Sequence, residues 1–325
     1  MKKKSDNMRR GYFISLGGNA ARDKWSHTEH RGPLLCQCTG RYKETPLIDR
    51  ALLREVIDQI AAWGIDLAVV DVLDTLQYDS HPEISLPGAF THDELRTELA
   101  YMRERGIEPI PKLNFSSCHD TWLKQYAWMK GTKTYYDVVR DLINEVCEVF
   151  DHPKLFHLGM DEEDLPTHRK GMTIIRCNDL WCHDLYFYMD CVEKNGARPW
   201  IWGDFYWAHA DIFGKKIPRE CLISNWWYER LRTTPDGAFM PKTEMDAYVA
   251  LAELGYDQLP CASTWCCHQN IAQTVLFFKE KGLINERLAG FMVASWTGTT
   301  EPNRYTLLDD AYRLVRACEM IDKEI

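Results

Sequence analysis

The sequence predicts a (β/α)8 barrel, on three observations. Short apolar runs of strand character alternate with stretches of helical period, which implies a parallel sheet. The alternation gives eight strand–helix units within 325 residues, a length that suits one such barrel. The alternative is an open doubly wound sheet, but no GxGxxG follows the first strand and eight units exceed what that architecture usually holds. No composition shift, linker or low-complexity tract marks a second domain. Residues 1–325 are therefore expected to form one domain, with the barrel proper over about 10–320.

The elements follow in order. Residues 12–16 (YFISL) read as the first strand, and a polar loop rich in Gly, His and charge occupies 17–48. Over 49–63, Leu53, Val56, Ile57 and Ile60 recur at helical spacing and Gly64 supplies the stop. LAVVDVL (67–73) is the second strand. The helix over 91–105 opens on Thr91 and Glu94, the spacing of a capping box, and closes at Gly106. PIPKLNF (109–115) precedes a helix at about 134–150, and LFHLGM (155–160) a helix at about 178–195. PWIWGDF (199–205) leads into an irregular connection, so the fifth helix is the least defined. LISNWWY (222–228), LPCASTW (259–265) and LAGFMVASW (288–296) precede helices over 243–254, 270–282 and 304–321.

Bulk composition narrows the function. Hydrophobic residues at 45% and charged residues at 27% are ordinary for a globular chain. A formal charge of −9 argues against a nucleic-acid or anionic-membrane partner, because both require a basic stripe. No run approaches the roughly 18 apolar residues of a transmembrane helix. The start, MKKKSDNMRRGYFISLGG, lacks the apolar stretch of a secretory signal. Of the twelve cysteines, Cys147, Cys191 and Cys221 fall inside predicted elements and read as small buried hydrophobes. Cys36-Gln37-Cys38 and Cys266-Cys267-His268 lack the CxxC pairing of convincing zinc sites. Reduced core thiols are preferred, with no metal and no cofactor expected, and a cytoplasmic location follows from the thiols and the missing signal. The sequence leaves the oligomeric state open.

The stretch LFHLGMDEED (155–164) carries the chemistry. An apolar strand ends in Asp161, Glu162, Glu163 and Asp164, either as the start of a solvated loop or as carboxylates placed for reaction. In a barrel the second reading gains, because active sites lie at the C-terminal ends of the strands. Other strand ends suit the same mouth: Asn114 on the third, Trp202 and Asp204 on the fifth, Asn225, Trp226, Trp227 and Tyr228 on the sixth, Trp265 on the seventh and Trp296 on the eighth. Flat indole faces stack on sugar rings while acids and amides bind hydroxyls, so acids and aromatics together point to a carbohydrate substrate. About half of these tryptophans are expected to be structural, since Trp is so often buried.

His157-Leu158-Gly159-Met160-Asp161-Glu162 resembles the strand-four signature His-x-Gly-Gly-Asp-Glu of the family 20 glycoside hydrolases, the β-N-acetylhexosaminidases. Trp202-Gly203-Asp204 is similar to that family's strand-five Trp-Asp pattern. The resemblance implies that Glu162 is the general acid and then the base, and that Asp161 orients a 2-acetamido group whose carbonyl oxygen attacks the anomeric carbon. Adjacent acids suit this division, because one carboxylate raises the pKa of the other. His157 is implied to fix the site by hydrogen bonds, with a satisfied core histidine as the competing reading. Many barrel glycosidases take a nucleophilic Glu from strand seven, yet here that strand ends CASTWCCH, with no carboxylate.

The chain departs from the family pattern in several places. Met160 replaces the second Gly, adding bulk beside the pair, and Ser263-Thr264-Trp265 stands where the family has Asp-x-Tyr. Tyr228 is then the candidate to bind the acetamido oxygen, and Arg22 the nearest match to the family's sugar-binding arginine. Trp296-Thr297-Gly298 replaces Trp-x-Glu, with Glu301 three residues beyond. The rival readings are a two-carboxylate glycosidase using Asp74, Asp204 or Glu301, a non-catalytic carbohydrate-binding barrel, and, ranked last, a metal-dependent hydrolase using His27, His30, His157 and the strand-four acids.

Overall fold

The computed structural model describes residues 8–17, 19, 22–23, 40–163, 176, 178–235 and 237–322. Eight parallel strands form the barrel wall: β1 (Arg9–Ser15), β2 (Leu67–Asp71), β3 (Glu108–Lys112), β4 (Leu155–His157), β5 (Arg198–Trp202), β6 (Leu222–Ser224), β7 (Cys261–Ala262) and β8 (Gly290–Val293). They pair in the order β6-β5-β4-β3-β2-β1-β8-β7. Parallel bridges Ile223↔Gln258 and Trp226↔Cys261 join β6 to the start of β7 and close the ring. The expected (β/α)8 barrel is therefore what the chain builds.

Among the described residues, eight α-helices follow the strands: α1 (Arg50–Ala62), α2 (His92–Glu104), α3 (Lys133–Val149), α4 (Asp179–Lys194), α5 (Phe205–Lys216), α6 (Thr243–Glu253), α7 (Asn270–Glu280) and α8 (Arg304–Cys318). Their starts carry the local chemistry that the sequence advertises. Asp49 accepts the N–H groups of Ala51 and Leu52 at the head of α1, and Thr91 and Glu94 form the anticipated capping box. The fifth connection differs from expectation. It is a helix, α5, broken at His209 (φ −135°, ψ 41°), and that break blurred the apolar period in the sequence. Among the described residues, no helix is long and apolar enough to cross a membrane.

Strand alternation sorts side chains into two cores. Ala68 and Val70 of β2 point outward into the layer shared with the helices, while Leu67 and Val69 point into the barrel with Ile110, Trp200, Trp202 and Met292. By the same alternation Asp71 and Lys112 face inward, and they form a buried ion pair (2.6 Å) near the upper layer. That places a buried ion pair beneath the mouth.

Candidate active site

β3 and β4 are in register at Lys112↔His157, so the residues that follow them emerge side by side at the C-terminal rim. Gly159 (φ +72°) turns the chain sharply after β4. A Cβ there would lie 2.1 Å from Oδ1 of Asn114, so only glycine lets Asn114 approach. Asn114 then donates its amide N–H to Oδ1 of Asp161 (2.9 Å) and accepts the N–H of Ser116 (3.1 Å). Met160, Glu162 and Trp296 also hold left-handed backbone (φ 73°, 56° and 53°), a local cost that non-glycine residues bear where a side chain must be aimed.

A residue absent from the sequence reading completes the pair. His119, in the loop after β3, places Nε2 3.2 Å from Oδ2 of Asp161 and 3.0 Å from Oε2 of Glu162. Burial pulls its pKa down, but the two carboxylates outweigh burial and hold the imidazolium well above the usual histidine range. Burial likewise pushes Asp161 up, yet His119, Lys112 and the Asn114 amide overcome it and keep its carboxyl well below the ordinary range. Asp161 is thus a committed carboxylate. The carboxyl pushed upward is Asp204, through burial and the negative field of Asp161. Its Oδ2 accepts the backbone N–H of Glu162 (2.7 Å) and its Oδ1 the indole N–H of Trp226 (3.3 Å).

Several anticipated contacts belong to the scaffold instead of the mouth. His157 is wholly buried among Trp200 and Trp202, its Nδ1 accepting the N–H of Gly159 (3.0 Å), and burial with Lys112 drives its pKa well down. It is a neutral core histidine, not a group that touches sugar. Trp202 is buried inside the barrel, and Asn114 spends its amide on Asp161. The Tyr228 hydroxyl, the sequence's candidate for the acetamido oxygen, turns inward to Sγ of Cys261 (3.8 Å). Glu301 gives its carboxylate to Arg304 (2.9 and 2.8 Å) on the outer start of α8. Met160 adds its bulk to the outer core, below the acids.

The aromatic wall that remains is compact. Trp226 stacks on Tyr228 (centroids 5.0 Å, 18°), Trp296 lies 5.9 Å from Tyr228 and 5.0 Å from Phe13, and Trp265 is 37% exposed at the rim. β7 is followed by Ser263, Thr264 and Trp265, with Asp310 of α8 buried behind Thr264, whose hydroxyl it accepts (2.5 Å). Asp74 is buried as well, its Oδ2 receiving Asn19 and Tyr42 (both 2.9 Å) and its pKa pushed up to about 6 by burial. His27, His30, Cys36, Cys38, Asp164 and the Arg22 side chain lie outside the described residues. Among the described residues, one group with metal-capable atoms within 4.8 Å of one another is Asp79, His92 and Glu145. Glu145 there already accepts the N–H groups of Asp79 (2.6 Å) and Ser80 (3.0 Å).

This barrel is similar to several solved structures. A chitobiase from Flavobacterium johnsoniae superposes with a TM-score of 0.59 at 17% identity, covering 97% of this chain and 51% of that one. A family 20 exo-β-N-acetylglucosaminidase from Vibrio harveyi in complex with N-acetylglucosamine gives 0.58 at 14% identity, over 98% of this chain and 59% of that one. A family 20 β-N-acetylhexosaminidase from Streptomyces coelicolor gives 0.61 at 13%, over 94% and 63%. A β-hexosaminidase from Emericella nidulans is 25% identical over 147 residues, which take in 34% of this chain and 24% of that protein. No family model matches the sequence. The fold is accordingly the (β/α)8 barrel seen in family 20 glycoside hydrolase structures. The chain spans 51–63% of the length of these solved relatives.

Proposed function

We propose that the chain is a glycoside hydrolase that releases N-acetylhexosamine by substrate-assisted, retaining hydrolysis. One observation carries the reading: Asp161 and Glu162 lie just beyond the end of β4 bridged by His119, while β7 is followed by Ser263, Thr264 and Trp265. An acid and an ionised carboxylate are therefore at hand, and a strand-seven nucleophile is not.

In the forward step the acetamido carbonyl oxygen bonds to the anomeric carbon as the bond to the aglycone oxygen breaks. Glu162 delivers the proton to that oxygen. Asp161, held ionised, accepts the acetamido N–H and offsets the positive charge that develops on the ring formed. Water then attacks the anomeric carbon, Glu162 takes its proton, and the acetamido group is restored with configuration retained. His119 Nε2, 3.0 Å from Oε2 of Glu162, holds that carboxyl in place through both steps. Trp226, Trp265 and Trp296 supply apolar faces for the sugar.

The two-carboxylate rival has weak candidates. Asp204 is held toward its neutral form, Glu301 is bound to Arg304, and Asp74 is buried. The test is turnover of aryl 2-acetamido-2-deoxy-β-glycosides, in gluco and galacto forms, beside plain β-glucosides, with Glu162→Gln as the control. Turnover confined to the acetamido substrates and lost in Glu162→Gln supports the reading. Turnover of plain glycosides favours a two-carboxylate enzyme, and binding without turnover favours a carbohydrate-binding barrel.

A further inference from the structure

Beneath the acid pair lies a buried cation that the reaction above does not use. Arg176 has no exposed side-chain surface, and its guanidinium is tied to three parts of the barrel. One terminal nitrogen donates to Oδ2 of Asp184 (3.2 Å) and to the Tyr188 hydroxyl (2.9 Å), both on α4. The other donates to the carbonyl of Phe115 (2.8 Å), pairs with Oε1 of Glu163, and lies 3.9 Å from Sδ of Met160. The same Glu163 oxygen accepts the backbone N–H of Ser117 (2.7 Å).

These partners are not scattered. Met160 and Glu163 flank Asp161 and Glu162 in sequence, while Phe115 and Ser117 lead directly into His119. One planar fork therefore pins the β3 loop that carries His119 to the β4 loop that carries both acids, and fastens the two to α4. We propose that Arg176 is a positioning residue that, acting through Glu163, sets the distance between His119 and the Asp161–Glu162 pair. This rests on the hydrolase reading for its effect on turnover, though not for its effect on geometry. The residue type matters, because a guanidinium offers fixed, divergent donors that an ammonium does not. Two carboxylates and a carbonyl buried without it would face a desolvation cost that the fold meets only by moving these loops.

The test compares wild type, Arg176→Lys, which keeps the charge but loses the fork, and Glu163→Gln, which keeps the shape but weakens the link. Two quantities are read: steady-state kinetics per folded molecule, and the exchange-protected ring N–H proton of His119 in the NMR spectrum, assigned with His119→Asn. Both variants are expected to lower kcat by about 10–100-fold with KM within about twofold, as loss of alignment does. The protected His119 signal should broaden or vanish. A lower melting temperature with kcat per folded molecule and the His119 signal unchanged would reduce Arg176 to a structural ion pair and overturn the proposal. Adding guanidinium to Arg176→Ala should recover part of kcat if that variant folds. If wild type hydrolyses none of the substrates, the hydrolase reading fails, and the His119 signal alone then decides the role of Arg176.

Discussion

A single ring nitrogen of His119 faces two carboxylates, standing 3.2 Å from Asp161 and 3.0 Å from Glu162. That nitrogen is within hydrogen-bond reach of both carboxylates, so the three side chains form one hydrogen-bonded unit. The imidazolium is held above its usual range, and the unit keeps that proton to correspondingly higher pH. Replacing His119 by Asn removes the store and leaves Glu162 to hold the proton alone. The alkaline limb of kcat/KM is therefore expected to move toward acid in His119→Asn, with kcat lower by about 10²-fold at neutral pH. A limb that stays in place would remove His119 from the proton path.

Glu162→Gln tests the acid itself. The amide keeps the shape and cannot give up a proton, so kcat is expected to fall by about 10²–10⁴-fold on substrates with poor leaving groups. The loss should shrink as the leaving group improves, because a good one departs with little protonation. Equal losses across a series of aryl leaving groups would assign the acid elsewhere.

How far the sequence was legible depends on which interactions are local. The strands and most helices could be read because caps, stops and apolar periods lie within a few residues of one another, as at Thr91–Glu94 and Gly106. The break at His209 defeated that reading in α5. At the site, Asp161 and Glu162 could be located from the end of β4. The inward or outward sense of their neighbours depended on where each strand stops, and β4 and β6 end sooner than their apolar runs. Hence the Tyr228 hydroxyl, placed at the mouth by the sequence, turns into the barrel, and His157 takes the core position that the sequence left as its competing reading. His119 was missed because its partners are 42 and 43 residues away in sequence, and Arg176 because its partners are spread from 8 to 61 residues away. The readable signal for His119 was a histidine in the loop after the third strand.

Asp310 predicts a pH dependence of stability. Burial raises its pKa to about 7, against the Thr264 hydroxyl that favours the charged form. An unfolded Asp titrates at about 3.9, so between these values the folded chain binds more protons than the unfolded one. The stabilising contribution is complete below the unfolded pKa and is lost as pH rises through the folded one, on the order of 4 kcal/mol across the window. Asp310→Asn should flatten this decline and raise the melting temperature at pH 8 relative to wild type. Parallel stability–pH curves for the two proteins would show that the buried carboxyl does not titrate in this window.

The role assigned to Asp161 leads to the most discriminating binding experiment. If the acetamido oxygen is the nucleophile, the reaction passes through a cyclic species whose ring nitrogen bears positive charge. A thiazoline mimic of that species should bind much more tightly than the sugar product, because the site is complementary to what forms along the path. Asp161 is held ionised at the spot where that charge develops. Asp161→Asn keeps the shape and removes the charge, so thiazoline affinity is expected to fall by about 10²-fold, roughly 2.7 kcal/mol. Product affinity should change far less, since the acetamido group of the product carries no charge. Mechanism-based fluoro-sugars make the complementary test. With Asp204 held toward its neutral form and Glu301 bound to Arg304, no stable adduct is expected by mass spectrometry. A covalent glycosyl adduct on any Asp or Glu, together with equal thiazoline affinity in wild type and Asp161→Asn, would replace substrate assistance with a carboxylate nucleophile.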